Sequence, residues 1–190
     1  MVWNSANVVT LARFVLVPLV AFALVMDAVG AEDSRDGWRW AAAGMFVLAA
    51  LTDRLDGWLA RRLDQVTDWG KLVDPIADKA LVGTALVGLS LLGDLSWWVT
   101  LVILARELGI TALRFAVLRY GVIAASPGGK LKTVLQTVAI TLFLLPLGTL
   151  PHVMLVVAWV VMVAAVALTV LTGLDYLRRA AAVRAAAGRA

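Results

Sequence analysis

Residues 51–79 read LTDRLDGWLARRLDQVTDWGKLVDPIADK and place six aspartates in a chain of 190 residues that is 62% hydrophobic and only 16% charged. The chain has 13 acidic side chains in all, so nearly half of them sit here, mixed with arginines and lysines. The apolar run Trp40–Thr52 before the aspartates has 13 residues, and Ala80–Gly93 after them has 14. A helix needs roughly 20 residues to cross a hydrocarbon core about 30 Å thick. Neither run crosses alone, so both helices must complete their crossing with residues of the quoted stretch. Asp53 and Asp56 then end one span while Asp74 and Asp78 begin the next. The short connection makes the two helices antiparallel neighbours with their carboxylates at similar depth.

The rest of the chain agrees with a membrane setting. A mean hydropathy of +0.91 lies outside the soluble range. Leu, Ala and Val runs without two-residue alternation favour helices over a barrel, since backbone polar groups must be satisfied inside lipid. The reading is an all-α integral membrane protein: one domain over residues 1–190, with six transmembrane helices at about 8–26, 38–57, 72–92, 97–118, 131–147 and 153–174. Basic residues orient it. With the N-terminus inside, Arg61, Arg62, Lys71, Arg119, Lys130, Lys132, Arg178, Arg179, Arg184 and Arg189 fall on the cytoplasmic side, against Arg35 and Arg39 opposite. That asymmetry predicts both termini in the cytoplasm of a multi-pass cell-membrane protein. It also accounts for the net charge of +4 without invoking nucleic acid. No charged segment precedes Arg13, so no cleavable leader is expected. The absence of cysteine removes disulfides, thiolate metal sites and thiol nucleophiles.

Asp53 and Asp56 are three apart, and Asp74 and Asp78 four apart, so each pair shares a helix face. Four facing carboxylates at a membrane boundary repel one another unless they take up protons or hold a cation. Hard oxygen ligands suit Mg²⁺, Mn²⁺ or Ca²⁺, and such ions commonly bridge carboxylates to substrate phosphates. Gly57, Ala60 and Gly70 leave room for a ligand, and Arg61 offers a fork matched to phosphate oxygens. Solvated ion pairs are the plainer reading, and for Arg62, Asp64 and Asp68 it is the better one. For the four paired aspartates, the cost of carboxylates in a membrane favours function.

The pattern Asp53, Asp56, Gly57, Ala60, Arg61, then Gly70, Asp74 and Asp78, resembles the signature of the CDP-alcohol phosphotransferase family at all eight positions and at its spacing. The resemblance implies a six-helix membrane fold over most of the chain. It further implies that Asp53, Asp56 and Asp74 hold a pair of divalent metal ions, Mg²⁺ or Mn²⁺. Asp78 would share the metals and act as general base, and Gly57, Ala60, Arg61 and Gly70 would line the CDP site. The family also implies a homodimer.

The acceptor alcohol is read from other segments. "LARELGITALR" carries Arg106, Glu107 and Arg114, and "SPGGKLKTVLQ" carries Ser126, Lys130, Lys132 and Thr133 at the start of the fifth span. A helix N-terminus beside two lysines suits a phosphate. The plainer readings are positive-side anchoring for the lysines and an ion pair with Glu107 for the arginines. Together Arg106, Arg114, Lys130 and Lys132 suggest an acceptor bearing its own phosphate. Lys79 beside Asp78, Ser126 and Thr133 before and within the fifth span, and Asn7, Thr10 and Arg13 on roughly one face of the first span are supporting residues, and the late Asp175–Tyr176 pair belongs with them only by resemblance to the family. Arg13 in a lipid span needs a partner, and the acidic site is the obvious one. These segments are similar to family members that transfer the phosphatidyl group of CDP-diacylglycerol to glycerol 3-phosphate. Members using an inositol phosphate need a phosphate pocket in the same place, so that acceptor stays open. A cation transporter is the alternative of another class; it predicts acidic residues spread along a path through the bilayer.

Overall fold

The computed structural model describes residues 5–62, 68–117 and 127–187, with the side chains of 12–31, 34–52, 75–116 and 128–185. Among the described residues there are six helices and no strand: α1 (Ser5–Val29), α2 (Glu32–Arg62), α3 (Asp68–Leu91), α4 (Trp97–Val117), α5 (Pro127–Leu144) and α6 (His152–Ala187). Each expected span falls on one of them. The fifth was expected to reach residue 147 but stops at Leu144, where the Leu145 N–H turns back to the Leu142 carbonyl at 3.3 Å and Pro146 has no N–H to continue the ladder.

At 1.5 Å per residue, α1 is about 37 Å long and α6 about 54 Å. Both contain stretches long and apolar enough to cross a membrane, Ala12–Val29 and His152–Ala185. α2 continues helical through Asp53 and Asp56, and α3 is already helical before Asp74, so the aspartates ride on regular helix. α1 packs along α2 and α3, α6 lies against α4 and α5, and α2, α3 and α5 touch one another between these groups.

Small and large side chains divide the bundle. Ala23, Ala42, Ala43, Ala49, Ala85, Ala139, Ala158 and Ala165 are buried at the crossings, with Phe46, Leu86, Leu89, Ile103, Ile140, Phe143 and Met162 filling the space between. Outside, Phe14, Leu19, Phe22 and Val25 of α1 and Val153, Val156, Val160, Val163 and Leu171 of α6 are exposed. Close helix approach through small residues, with bulky apolar side chains turned outward, is how helices pack in lipid. Gly88 makes one such approach: a Cβ there would lie 2.5 Å from Leu24 Cδ1. Gly88→Ala should therefore force the buried Leu24 side chain out of its rotamer and destabilise the protein by about 1–3 kcal/mol. Thermal unfolding in detergent measures it, and an unchanged midpoint would mean that the α1–α3 contact is slack.

The α3–α4 turn closes on Gly93, whose φ of +82° suits glycine. Asp94 N–H reaches the Leu89 carbonyl at 3.0 Å and Gly93 N–H the Ser90 carbonyl at 3.2 Å, a Schellman ending. This turn delivers the Asp94 carboxylate to Arg39, near the start of α2, so α2 and α3 run antiparallel as expected. Arg39 also binds Asp27 of α1 at 2.8 Å, joining α1, α2 and the α3–α4 turn in one polar tie.

Candidate active site

At the other end of the bundle from that tie, α4, α5 and α6 enclose a cavity of about 300 Å³. From α4, Arg106, Ile110 and Arg114 follow one another at four-residue steps and line one wall, with Glu107 beside them. α5 opens on Pro127, a residue suited to the first helical position, and presents Gly129, Lys130, Lys132 and Thr133. The first N–H groups of a helix have no partner within it, so this end adds partial positive charge to the two ammonium groups. From α6, Thr172, Asp175, Tyr176 and Arg179 sit at i, i+3, i+4 and i+7 and complete the wall. Five cationic side chains thus face two carboxylates, an excess that favours an anionic ligand.

The polar contacts are specific. Glu107 Oε1 accepts from Lys132 Nζ and, at 3.3 Å, from Arg106 Nη1. Lys132 is buried, its side chain only 5% exposed, and Glu107 is its counter-ion away from water. Arg106 Nη2 donates to Thr172 Oγ1 at 3.0 Å. Arg106 Nε is buried with no hydrogen-bond acceptor among the described residues. The Arg114 guanidinium sits 6.0 Å from the centroid of the Tyr176 ring, within cation–π range. Arg179 Nε binds Asp175 Oδ2 at 2.9 Å on the exposed rim.

A smaller chamber of about 70 Å³ adjoins this pocket, lined by Asp78 and Lys79 of α3, Gln136 and Thr137 of α5, and Glu107, Lys132 and Thr133. These last three line both spaces and so form the wall between them. Beyond Thr137 an apolar groove of about 280 Å³ runs between α2 and α5, lined by Val47, Ala50, Leu51, Val134, Val138 and Leu142. Leu51 stands two residues before Asp53, so the groove leads along α2 toward the aspartate motif.

The residues expected for the acceptor phosphate, Arg106, Arg114, Lys130 and Lys132, are brought together in one cavity. Of the arginines, only Arg106 pairs with Glu107; Arg114 faces Tyr176 instead. Asp78 and Lys79 reach the neighbouring chamber, and Thr133 lines both. Arg13 is buried on α1, only 2% exposed. Asp53, Asp56, Gly57, Ala60 and Arg61 lie on α2, Gly70 and Asp74 on α3, and Asn7 and Thr10 on α1, but their side-chain surroundings fall outside the described residues. Ser126 falls outside them altogether. Thr172 and Arg179 were not foreseen. Thr172 sits in an apolar run where nothing in the sequence marks it, whereas Arg179 lies four residues after Asp175 and was legible as a helix pair. The far-end tie was not foreseen either, because Asp27, Arg39 and Asp94 are distant in sequence.

Comparison with known proteins gives this arrangement its context. The sequence model of the CDP-alcohol phosphatidyltransferase family matches residues 3–171. The chain belongs to this family. Among its relatives, a protein of Mycobacterium tuberculosis named probable phosphatidylglycerophosphate synthase is 55% identical over 177 residues, covering 93% of this chain and 81% of the relative. A CDP-diacylglycerol–glycerol-3-phosphate 3-phosphatidyltransferase of Bacillus subtilis is 39% identical, covering 75% of this chain and 77% of its own. The Escherichia coli K12 protein of the same name is also 39% identical, over 74% of this chain and 76% of its own. As a CDP-alcohol phosphatidyltransferase the chain is a transferase. The Asp27 and Asp94 carboxylates at the far end are both held by Arg39, and nothing among the described residues favours the alternative of a cation path.

Proposed function

We propose that the protein transfers the phosphatidyl group of CDP-diacylglycerol to sn-glycerol 3-phosphate, giving phosphatidylglycerophosphate and CMP at the cytoplasmic face of the cell membrane. The observation that carries the acceptor is the cationic cavity of Arg106, Arg114, Lys130 and Lys132, separated from Asp78 by a single wall of side chains. A small phosphorylated alcohol would place its phosphate among the cations, and its free hydroxyl would extend over that wall toward the carboxylate. Charge-assisted hydrogen bonds from arginine are the strong ones for phosphate oxygens. The relatives named for glycerol 3-phosphate support this acceptor.

Asp78 would take the proton from the glycerol 1-hydroxyl. The oxygen would then attack the phosphorus linked to diacylglycerol, and the bond to the CMP phosphate would break with its electron pair leaving on CMP. Asp53, Asp56, Asp74 and Asp78 are four hard oxygen donors on two neighbouring helices, a donor set that fits Mg²⁺ or Mn²⁺. Bound there, such ions would neutralise the diphosphate and the developing charge on CMP. The α2–α5 groove is apolar and suits an acyl chain of the lipid donor, which would leave the nucleotide near Gly57, Ala60, Arg61 and Gly70. Six spans with both termini cytoplasmic would put this whole end of the bundle on the side where nucleotide and acceptor are dissolved.

Purified protein given CDP-diacylglycerol, glycerol 3-phosphate and Mg²⁺ or Mn²⁺ should release CMP and form phosphatidylglycerophosphate. Turnover with inositol 3-phosphate, inositol or serine but not with glycerol 3-phosphate would overturn the acceptor. Chelation with EDTA should abolish release and added Mg²⁺ or Mn²⁺ should restore it, with helical circular dichroism unchanged throughout. Full activity after exhaustive chelation would remove the metal from the mechanism.

A further inference from the structure

Arg106 is held on three sides by groups that are not themselves cationic. Its Nη1 meets Glu107 at 3.3 Å and its Nη2 meets Thr172 Oγ1 at 3.0 Å. Its aliphatic stem lies against α6 at Gly173, where an added Cβ would fall 3.2 Å from Arg106 Cγ and 3.6 Å from Nε. The Thr172 hydroxyl lies 2.7 Å from the Leu168 carbonyl and 3.2 Å from that of Thr169. Its one proton therefore goes to the helix backbone, and toward Arg106 the oxygen can only accept. The start of α5 comes close to Thr172: a Cβ added to Gly128 would lie 3.1 Å from its Cγ2.

A guanidinium has five N–H donors in a rigid plane. Glu107 and Thr172 take one each, Nε–H has no acceptor among the described residues, and the plane is fixed before any ligand arrives. We propose that Thr172 and Gly173 of α6 are positioning residues: Gly173 seats the stem and the buried Nε, and Thr172 fixes Nη2, so that the remaining N–H groups of Nη1 and Nη2 meet the phosphate of the acceptor. This rests on the reading of the cavity as the acceptor-phosphate site. α6 thus contributes to acceptor recognition through residues that carry no charge, and the Gly128 contact sets that seat against the same helix end that carries Lys130.

The test uses the full chain reconstituted in lipid, with KM for glycerol 3-phosphate, KM for CDP-diacylglycerol and kcat measured separately. Thr172→Val keeps the shape and removes the accepting oxygen; it should raise KM for glycerol 3-phosphate about tenfold, the size of one hydrogen bond to a charged group. KM for CDP-diacylglycerol should stay within about twofold. Thr172→Ser should restore the glycerol 3-phosphate KM, and Gly173→Ala, which drives a methyl into the Arg106 stem, should raise it as Thr172→Val does. Arg106→Lys is the reference. If it raises that KM while Thr172→Val leaves it unchanged, the positioning role is overturned and the pocket reading stands. An Arg106→Lys variant with unchanged KM overturns the pocket reading itself. Equal rises in both KM values, or serine failing to rescue, would make Thr172 a packing residue and overturn the proposal. Should Gly173→Ala not fold, the near-isosteric Thr172→Val and Thr172→Ser pair decides.

Discussion

Asp78→Asn should lower CMP release by about 10²–10⁴-fold, the contribution typical of a positioned general base, while the purified protein keeps its helicity and unfolding midpoint. Asparagine has nearly the same volume but cannot accept a proton from the acceptor hydroxyl. Asp78 stands on α3 in the small chamber, across the Glu107, Lys132 and Thr133 wall from the cationic cavity. Because the side chain is exposed, its replacement does not open a hole in the core. Asp64→Asn and Asp68→Asn, read from the sequence as solvated ion pairs, are the matched controls and should stay near wild-type rate. Retained turnover in Asp78→Asn would move the base to another group.

The second large effect is non-additive. Glu107→Ala should destabilise the protein by about 3–5 kcal/mol, because it leaves the buried Lys132 ammonium without its carboxylate. Arg106 loses an acceptor in the same step. Glu107→Gln combined with Lys132→Met should cost much less than Glu107→Ala alone, since a neutral pair of similar volume no longer needs compensation. Chemical unfolding of Glu107→Gln, Lys132→Met and their combination gives the coupling. If the double variant lost as much stability as the sum of the singles, the ion pair would not be what holds this wall. Activity should fall in both variants if, as proposed, the acceptor bridges the two spaces on either side of this wall.

The six helices were legible because their apolar runs are bounded by charge, glycine or proline, but their ends were not: α2 runs from Glu32 to Arg62, beyond the expected 38–57, and α6 continues to Ala187, well past 174, because charged residues continue a helix beyond its apolar run. The fifth ends earlier than expected because hydropathy alone ignores Pro146, which ends the hydrogen-bond ladder while Leu145 and Leu147 keep the profile apolar. The four cations proposed for the acceptor were legible because charge is rare in this chain: Arg106 and Arg114 interrupt apolar sequence, and Lys130 and Lys132 mark the start of the fifth span. Their division of labour was not. The seven-residue spacing puts Arg114 on the face of Glu107, yet it is Arg106 that is anchored by Glu107 and Thr172, while Arg114 lies over Tyr176. That distinction depends on which face of α6 meets α4, and α6 is so uniformly apolar that its periodicity does not declare a face. The Asp27–Arg39–Asp94 tie was hidden for a related reason: it joins three segments whose only common property is their place at one end of the bundle.

The wall shared by the two cavities has a consequence for how members of this family can diverge. The residues proposed for the transfer chemistry sit on α2 and α3, whereas the pocket proposed for the acceptor is built from α4, α5 and α6. The two halves meet at Glu107, Lys132 and Thr133. Substitutions on α4–α6 that reshape the pocket while sparing those three positions would exchange one alcohol for another and leave bond cleavage untouched. With the sites assigned as proposed, the bundle would act as a fixed reaction head joined to an interchangeable receptor, and new phospholipid headgroups would become accessible by changing only one side of the joint.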